Sequence, residues 1–185
     1  MRSLLILLLS STLAAAATAK PPPKKPAAPL DQLFAQLAKA ENAEEAKPIE
    51  EQILAIFRQS GSATADLLMA RGTAAHESGD DKTARKLFDS LTDVAPNYAE
   101  GWHAKALLDA DAGDDESAMF ALQTTVTLNP REFTALDQLA QMVEGYGNKE
   151  GALKLYKRAL ALDPQLEGVA KHVTALEREV EGQGI

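Results

Sequence analysis

A repeat of 34 residues constrains this chain more than any other feature of its sequence. Six sets of three residues recur at that interval in a single register. The sets are Pro96, Pro130 and Pro164; Ala84, Ala118 and Ala152; Gly79, Gly113 and Gly147; Leu68, Trp102 and Leu136; Gly72, Ala106 and Ala140; and Phe88, Leu122 and Tyr156. A period of this length predicts an array of similar units, in which each unit buries its apolar face against the next.

Each unit is predicted to be a helical hairpin. Apolar or small residues recur every three or four positions in 65–78, 99–112 and 133–146, which predicts a first helix with one buried face. Each run ends at Gly followed by Asp or Asn, a pair typical of a helix end and a tight turn. A second helical pattern then runs to the repeated proline, which disfavours helix in the residue before it. The recurring small residues are expected where the two helices cross.

The repeated positions resemble the tetratricopeptide repeat, whose pattern is W-x2-L-G-x2-Y, then A-x3-F, then P. The best matches are Trp102, Ala106, Ala118, Leu122 and Pro130, with Ala152, Tyr156 and Pro164 in the next copy. The departures are Arg71 and Lys105 in place of Leu, and Ala75, Asp109 and Val143 in place of Tyr. The resemblance covers 65–164 and implies an all-α, right-handed solenoid with repeats at 65–98, 99–132 and 133–166. The whole chain also resembles small exported proteins of this class in Gram-negative bacteria.

The segments beside the repeats are also predicted to be helical. Residues 30–60 contain two amphipathic stretches, and we expect them to form a degenerate helical hairpin that stacks on the first repeat. Residues 167–181 are expected to form a capping helix, with an apolar face for the last repeat and a polar face for water. Its apolar stripe comprises Leu166, Val169, Val173, Leu176 and Val180. The prediction is therefore nine helices in all.

The N-terminal segment is predicted to direct export. Residues 1–19 combine Arg2, an apolar run and a small-residue ending at Ala17-Thr18-Ala19, which together are typical of a signal peptide cleaved after Ala19. An uncleaved membrane anchor is the alternative, but the apolar run is shorter than the ~20 residues of a spanning helix. Residues 20–29 hold five prolines and three lysines and are expected to form an extended linker. We therefore expect a periplasmic protein without stable membrane insertion.

Composition argues against several functions. The chain has 27 acidic and 19 basic residues, a net charge of −8, which disfavours nucleic-acid binding. It has no cysteine, which excludes disulfides and thiolate metal sites. The three histidines, His76, His103 and His172, are far apart and form no zinc-binding motif. The sequence also lacks a catalytic motif, so we predict no enzyme activity, cofactor or metal.

A partner-binding surface follows from the resemblance, which implies that the first helix of each repeat lines a concave groove. The corresponding positions are Asp66, Met69, Thr73 and His76; Glu100, His103, Leu107 and Ala110; and Thr134, Asp137, Gln141 and Glu144. They include four carboxylates and no Lys or Arg, although any one of them could simply be a solvated position. The hypothesis is that Met69, His103 and Leu107 hold a neutral or basic peptide or helix, with carboxylates at the rim. The alternatives are a module that self-associates into a homo-oligomer and an accessory subunit of an envelope complex.

Overall fold

Nine α-helices and no strand make up residues 30–182, the part of the chain that the computed structural model describes. The predicted signal peptide (1–19) and linker (20–29) lie outside these residues. The helices are α1 (Leu30–Leu37), α2 (Ala43–Phe57), α3 (Ala63–Glu77), α4 (Asp81–Val94), α5 (Ala99–Asp111), α6 (Asp115–Leu128), α7 (Phe133–Gly145), α8 (Lys149–Leu162) and α9 (Val169–Gly182). None of the helices within 30–182 is both long enough and apolar enough to cross a membrane.

Six of the helices form three antiparallel pairs that stack in chain order. The pairs are α3 with α4, α5 with α6, and α7 with α8. Successive pairs pack through α4 on α5 and α6 on α7, and α9 then packs on α8. This arrangement confirms the predicted all-α solenoid of three hairpins with a helix at its C-terminal end.

The recurring Gly-Asp or Gly-Asn pair turns the chain between the helices of each repeat. Gly79 has a φ of 78°, a conformation that glycine adopts without steric cost. Its N–H donates to the carbonyl of His76 at 2.9 Å, and the N–H of Asp80 donates to the carbonyl of Ala75 at 2.8 Å. The Asp80 carboxylate then accepts the N–H of Thr83 at 3.2 Å and caps α4. Two residues therefore end one helix and start the next.

Small residues allow the paired helices to approach closely. A Cβ atom at Gly72 would lie 2.4 Å from Cε1 of Phe88 on the facing helix. In the next repeat Ala118 is fully buried, together with Ala106 and Leu122. The small size of these side chains therefore sets the distance between the two helices of a repeat.

Enlarging one of these small residues is expected to destabilise the fold. Ala118→Leu should lower the free energy of unfolding by about 1–3 kcal/mol, because the added methyl groups would overpack a closed crossing. Urea unfolding followed by circular dichroism measures the change. Ala161→Leu is the matched control, since Ala161 is exposed on α8 and the two residue types have similar helix propensity. Equal unfolding midpoints for Ala118→Leu and the native chain would contradict the prediction.

The N-terminal hairpin, α1 and α2, lies elsewhere than predicted. It does not stack on the first repeat but packs against the end of the second repeat and the third repeat. Phe34 of α1 meets Phe133, the first residue of α7, edge to face with ring centroids 6.5 Å apart. Leu33, Leu37 and the partly buried Leu162 belong to the same apolar cluster.

Polar contacts place the hairpin along the edge formed by the turns between repeats. Arg131 donates to the Asp31 carboxylate at 2.6 Å, and the Tyr98 hydroxyl donates to the carbonyl of Arg58 at 2.8 Å. The Gln165 side chain donates to the carbonyl of Ala40 at 3.0 Å. These three contacts involve the turns after α4, α6 and α8, so the hairpin lies along this edge, while its apolar side chains pack on the second and third repeats. The apolar side chains of α1 and α2 are buried there because the turns present Phe133, Leu162 and Leu166 along one edge.

Two carboxyl groups meet at this edge. Asp163 is fully buried in the turn after α8. Glu50 of α2 lies against it, and burial together with the Asp163 charge raises the pKa of Glu50 to about 7. Burial also raises the pKa of Asp163. A carboxyl whose pKa is higher in the folded than in the unfolded chain binds its proton more tightly when folded. The pair therefore lowers stability as pH rises from about 4.5 to about 7.

Removing one of these charges is expected to stabilise the protein at alkaline pH. Glu50→Gln should raise the free energy of unfolding by about 1 kcal/mol at pH 8, a value reduced for the partial exposure of Glu50. Below pH 4.5 Glu50 is largely protonated in both the folded and the unfolded chain, so the gain should disappear. Thermal unfolding at pH 4 and pH 8 measures the gain in stability at each pH. The control is Glu77→Gln, because Glu77 is exposed at the end of α3. A gain of equal size at both pH values would rule out this explanation.

The C-terminal helix α9 covers the last repeat. Val169, Val173 and Leu176 are buried against Ala140 and Tyr156. The polar side of α9 makes two ion pairs with α8, Lys149 with Glu179 and Lys157 with Glu177, each at 2.6 Å. A helix with one apolar and one charged face closes the stack as a cap requires.

Candidate functional site

The first helices of repeats two and three border an open cleft. Its volume is about 180 Å³, and its lining includes Leu107 and Ala110 from α5 and Gln138, Gln141 and Met142 from α7. Leu107 is 42% exposed, so its apolar side chain is accessible from the solvent. The cleft therefore offers an accessible apolar contact between two repeats.

A larger pocket continues from this cleft to the C-terminal helix. Its volume is about 620 Å³, and its walls come from α7, α8, the turn after α8, and α9. Gln141 lines both cavities. We call the combined surface of cleft and pocket the groove. It runs from the second repeat to the cap.

Lys149 and His172 of the pocket are already paired with carboxylates of the protein. Lys149 contacts Glu179 at 2.6 Å. Nε2 of His172 lies 2.7 Å from the Glu144 carboxylate, which also accepts the Tyr156 hydroxyl at 3.0 Å. Since both side chains are already engaged by carboxylates, the pocket has little capacity to neutralise an anionic ligand.

Asp137 is an incompletely satisfied carboxylate in the wall of the pocket. One oxygen, Oδ2, accepts the side-chain N–H of Gln141 at 2.8 Å. The other, Oδ1, is buried and has no hydrogen-bond partner among residues 30–182. Burial raises the pKa of Asp137 above its usual range. A cationic or N–H donor from outside the chain would therefore gain both a hydrogen bond and charge compensation here.

The structure brings together only part of the predicted groove set. Leu107, Ala110, Asp137, Gln141 and Glu144 line the groove as expected. Their shared position follows from the three- and four-residue spacing on α5 and α7.

The four positions on α3 lie outside this groove. Asp66 accepts hydrogen bonds from the backbone and hydroxyl of Ser60 in the turn before α3. Met69 and Thr73 contact each other on α3, with Sδ and Oγ1 3.8 Å apart. His76 lies between two carboxylates of neighbouring turns, one of them that of Asp81 at 2.9 Å. These side chains therefore make contacts within α3, with the turn before it, and with α4 and α5.

The predicted role of His103 as a partner contact requires correction. His103 is 9% exposed, and its Nε2 lies 2.8 Å from the amide oxygen of Gln138. Glu100 is also mostly covered, and Thr134 donates to Glu132 at 2.6 Å instead of facing the groove. His103 is covered because Gln138 of α7 and Glu132 just before α7 lie against it, and the spacing within α5 alone does not reveal these contacts.

Sequence reasoning missed a buried polar cluster around His103. One ligand-type atom each from Glu100, His103 and Glu132 lies within 4.8 Å of the others. Burial and the Glu100 charge raise the pKa of Glu132 to about 7. Burial alone would lower the pKa of His103, but the neighbouring Glu100 outweighs it and raises that pKa. The available signal was the Glu-x-x-His spacing of Glu100 and His103, which places both on one face of a helix.

The architecture defines a helical-hairpin repeat solenoid, and comparison with known proteins assigns its family. Protein-family models give no match. A curated protein of Rhizobium etli, named a TPR repeat-containing protein, is 31% identical over 157 residues, which cover 85% of this chain and 77% of the relative. The chain belongs to the tetratricopeptide-repeat family.

Solved structures share the same fold. The first tetratricopeptide domain of Spaghetti, bound to the HSP90 peptide SRMEEVD, has a TM-score of 0.59 at 18% identity and covers 65% of this chain and 95% of its own. The Yersinia enterocolitica type III secretion chaperone SycD, in complex with a peptide of the translocator YopD, has a TM-score of 0.57 at 15% identity. The match covers 67% of this chain and 97% of the SycD chain. At these identities the likeness establishes the fold.

Proposed function

We propose that the protein is a periplasmic interaction scaffold that binds a neutral or basic peptide or helix of a partner protein in the groove. The observation that carries the proposal is the buried, unpaired oxygen of Asp137 in the pocket, which adjoins the cleft lined by the accessible Leu107. An apolar side chain of the partner would contact Leu107, and a Lys or Arg side chain would pair with Asp137. We infer a binding role rather than catalysis, with no cofactor involved in it.

Peptide complexes of the structural neighbours support a binding role. The Spaghetti domain and SycD are both known with a bound peptide, and the TPR2B domain of yeast Sti1 is known in a complex with pHsp70. Sti1 TPR2B covers 66% of this chain at 18% identity, with a TM-score of 0.55. A solenoid presents such a surface because its stacked first helices form an extended face.

The charge of the groove supports a different peptide from the one that Spaghetti binds. The HSP90 peptide SRMEEVD carries three acidic side chains. In this chain Asp137, Glu144, Glu167 and Glu179 line the pocket, and Glu179 and Glu144 are the internal partners of Lys149 and His172. Asp137 and Glu167 therefore remain to repel an acidic peptide and to attract a basic one.

Export is the part of the proposal that rests on residues 1–29 alone. Arg2, the apolar run and the small residues before Lys20 are typical of a signal peptide. The absence of cysteine suits an oxidising compartment. Alkaline-phosphatase fusion to the first 29 residues tests export, and an inactive cytoplasmic fusion would contradict it.

Charge removal at Asp137 tests the proposed groove. Asp137→Asn is expected to weaken binding of a Lys-containing apolar peptide at least about tenfold. The Lys ammonium of the bound peptide would lose its ion pair with a carboxylate that is shielded from water. Fluorescence anisotropy measures the affinity for this peptide and for a matched Glu-containing peptide. Binding of the basic peptide should also fall with added salt.

The matched control is Asp93→Asn, which removes the same charge from an exposed position on α4. If overall charge attracts the peptide, both variants weaken binding equally, and the groove assignment is wrong. Tighter binding of the Glu-containing peptide would contradict the proposed partner chemistry.

Self-association is the second candidate function, and one surface favours it. Phe120, which is 62% exposed, and Leu128 border a shallow cleft on the outer face of α6. Contact between two such faces would bury apolar surface now open to water. Light scattering at two protein concentrations, with Phe120→Ser for comparison, distinguishes a dimer through this face from a monomeric scaffold.

A further inference from the structure

The buried cluster lies between α5 and the start of α7, and its three residues all belong to the second repeat. Glu100 and His103 come from the first turns of α5, and Glu132 precedes α7 as its N-terminal flanking residue. Glu132 is fully buried, and His103 is nearly so. One oxygen of Glu132 accepts the Thr134 hydroxyl at 2.6 Å, which fixes the orientation of the carboxylate. The arrangement is therefore formed by the fold and not by mobile surface side chains.

The imidazole of His103 is oriented by Gln138. Nε2 lies 2.8 Å from Oε1 of Gln138, and since this amide oxygen can only accept, Nε2 carries the hydrogen. In the neutral ring the lone pair is then on Nδ1, which faces Oε2 of Glu100 at 3.9 Å. A histidine that ligates a metal through one nitrogen commonly donates the other N–H to an oxygen acceptor in this way.

Two carboxylate oxygens at the cluster lack a hydrogen-bond donor. Within the described residues, Oε1 of Glu100 and Oε2 of Glu132 are buried without a partner. Leaving such groups unpaired in the interior is costly, and two neighbouring carboxylates also repel each other. A single proton can bridge only one pair of these atoms. A divalent cation between the three groups would satisfy all of them and cancel the charge of both carboxylates.

We propose that Glu100, His103 and Glu132 form a binding site for a divalent transition-metal ion of the zinc class. One imidazole nitrogen with two carboxylate oxygens is a donor set for such an ion, whereas magnesium and calcium favour oxygen donors alone. Zinc bonds of about 2.1 Å place tetrahedral ligand atoms about 3.4 Å apart. The ligand atoms now lie within 4.8 Å of one another, so binding an ion would draw them closer together. The ion would fasten α5 to the start of α7 and leave a fourth position for water.

The site is tested by zinc binding to the purified, untagged chain. Equilibrium dialysis against ZnCl2 is expected to give one bound zinc per chain, accompanied by a rise in Tm that saturates at one equivalent. Glu132→Gln should reduce the affinity at least about tenfold, and Gln138→Leu about 10- to 100-fold. Cobalt in place of zinc should give the intense visible absorption of a four-coordinate site.

His76→Asn is the matched control, because His76 also lies between two carboxylates but is more exposed. Its zinc binding should equal that of the native chain. Circular dichroism checks that Glu132→Gln remains folded, and the cobalt spectrum of the native chain tests the site without any substitution. The proposal is overturned if the native chain binds no zinc at ~100 µM, or if His76→Asn abolishes binding while Glu132→Gln retains it. The result is independent of the groove, since peptide affinity can be measured separately on the same variants.

Discussion

Phe133→Ala is expected to lower the free energy of unfolding by about 3–5 kcal/mol, which corresponds to a fall in Tm of roughly 10 °C. Phe133 is 1% exposed and packs edge to face on Phe34 of the N-terminal hairpin. Its loss leaves a cavity where the hairpin meets the third repeat. Chemical denaturation measures the change in stability. Hydrogen exchange should also show the amides of α1 losing protection first, because α1 depends on this contact for its docking.

The control for this prediction is Phe120→Ala. Phe120 is 62% exposed on α6 and contacts the edge of Trp102 with ring centroids 6.0 Å apart. Its truncation removes the same atoms but opens no closed cavity, so we expect a cost below about 1 kcal/mol. If the two variants lost equal stability, the hairpin would not be docked through Phe133 as described.

Arg85→Ala is expected to lower the free energy of unfolding by about 2–4 kcal/mol. Arg85 of α4 pairs with Asp109 of α5, whose side chain is 0% exposed. Lys105 is the other cation near this carboxylate, at 3.9 Å. Removing Arg85 leaves a buried charge with a single distant partner, which is far more costly than losing a surface pair. Thermal and urea unfolding near neutral pH measure the loss.

Two comparisons test whether the buried charge causes this effect. Lys157→Ala breaks the ion pair with Glu177, whose members are both substantially exposed, and should cost less than about 1 kcal/mol. The double variant Arg85→Ala with Asp109→Leu should recover most of the stability, because an apolar residue then occupies the buried position. Failure of the double variant to recover stability would show that Arg85 acts through its packing and not through Asp109.

The 34-residue period predicted the paired helices closely. The predicted first helix at 65–78 corresponds to α3, Ala63–Glu77, and each turn falls at the recurring glycine. Local chemistry suffices for these elements, since helix ends, caps and apolar spacing are all encoded nearby in the chain. The position of the N-terminal hairpin could not be obtained in this way. Phe34 and Phe133 are separated by about a hundred residues, and the hairpin carries no repeat register.

The candidate site could be predicted only in part, again because contacts between distant parts of the chain are not encoded locally. Leu107, Gln141 and Glu144 share the faces that helical spacing assigns to them. His103 follows the same spacing but is buried, because Gln138 of the third repeat and Glu132 at the end of the second repeat lie against it. The wall of the pocket contributed by α9 was also missed, since the cap has no equivalent in the repeat pattern. Contacts between repeats therefore decided which predicted positions remain accessible.

The central claim is that a partner binds in the groove, and site-specific photo-crosslinking in cells tests it most directly. The photoreactive residue p-benzoylphenylalanine would be placed in the full chain at Leu107, in the groove, or at Phe120, on the outer face of α6. We predict one discrete adduct in the envelope fraction for Leu107, reduced by the additional change Asp137→Asn and absent for Phe120. Adducts from Phe120 alone, or a Leu107 adduct that Asp137→Asn leaves unchanged, would contradict the proposed groove.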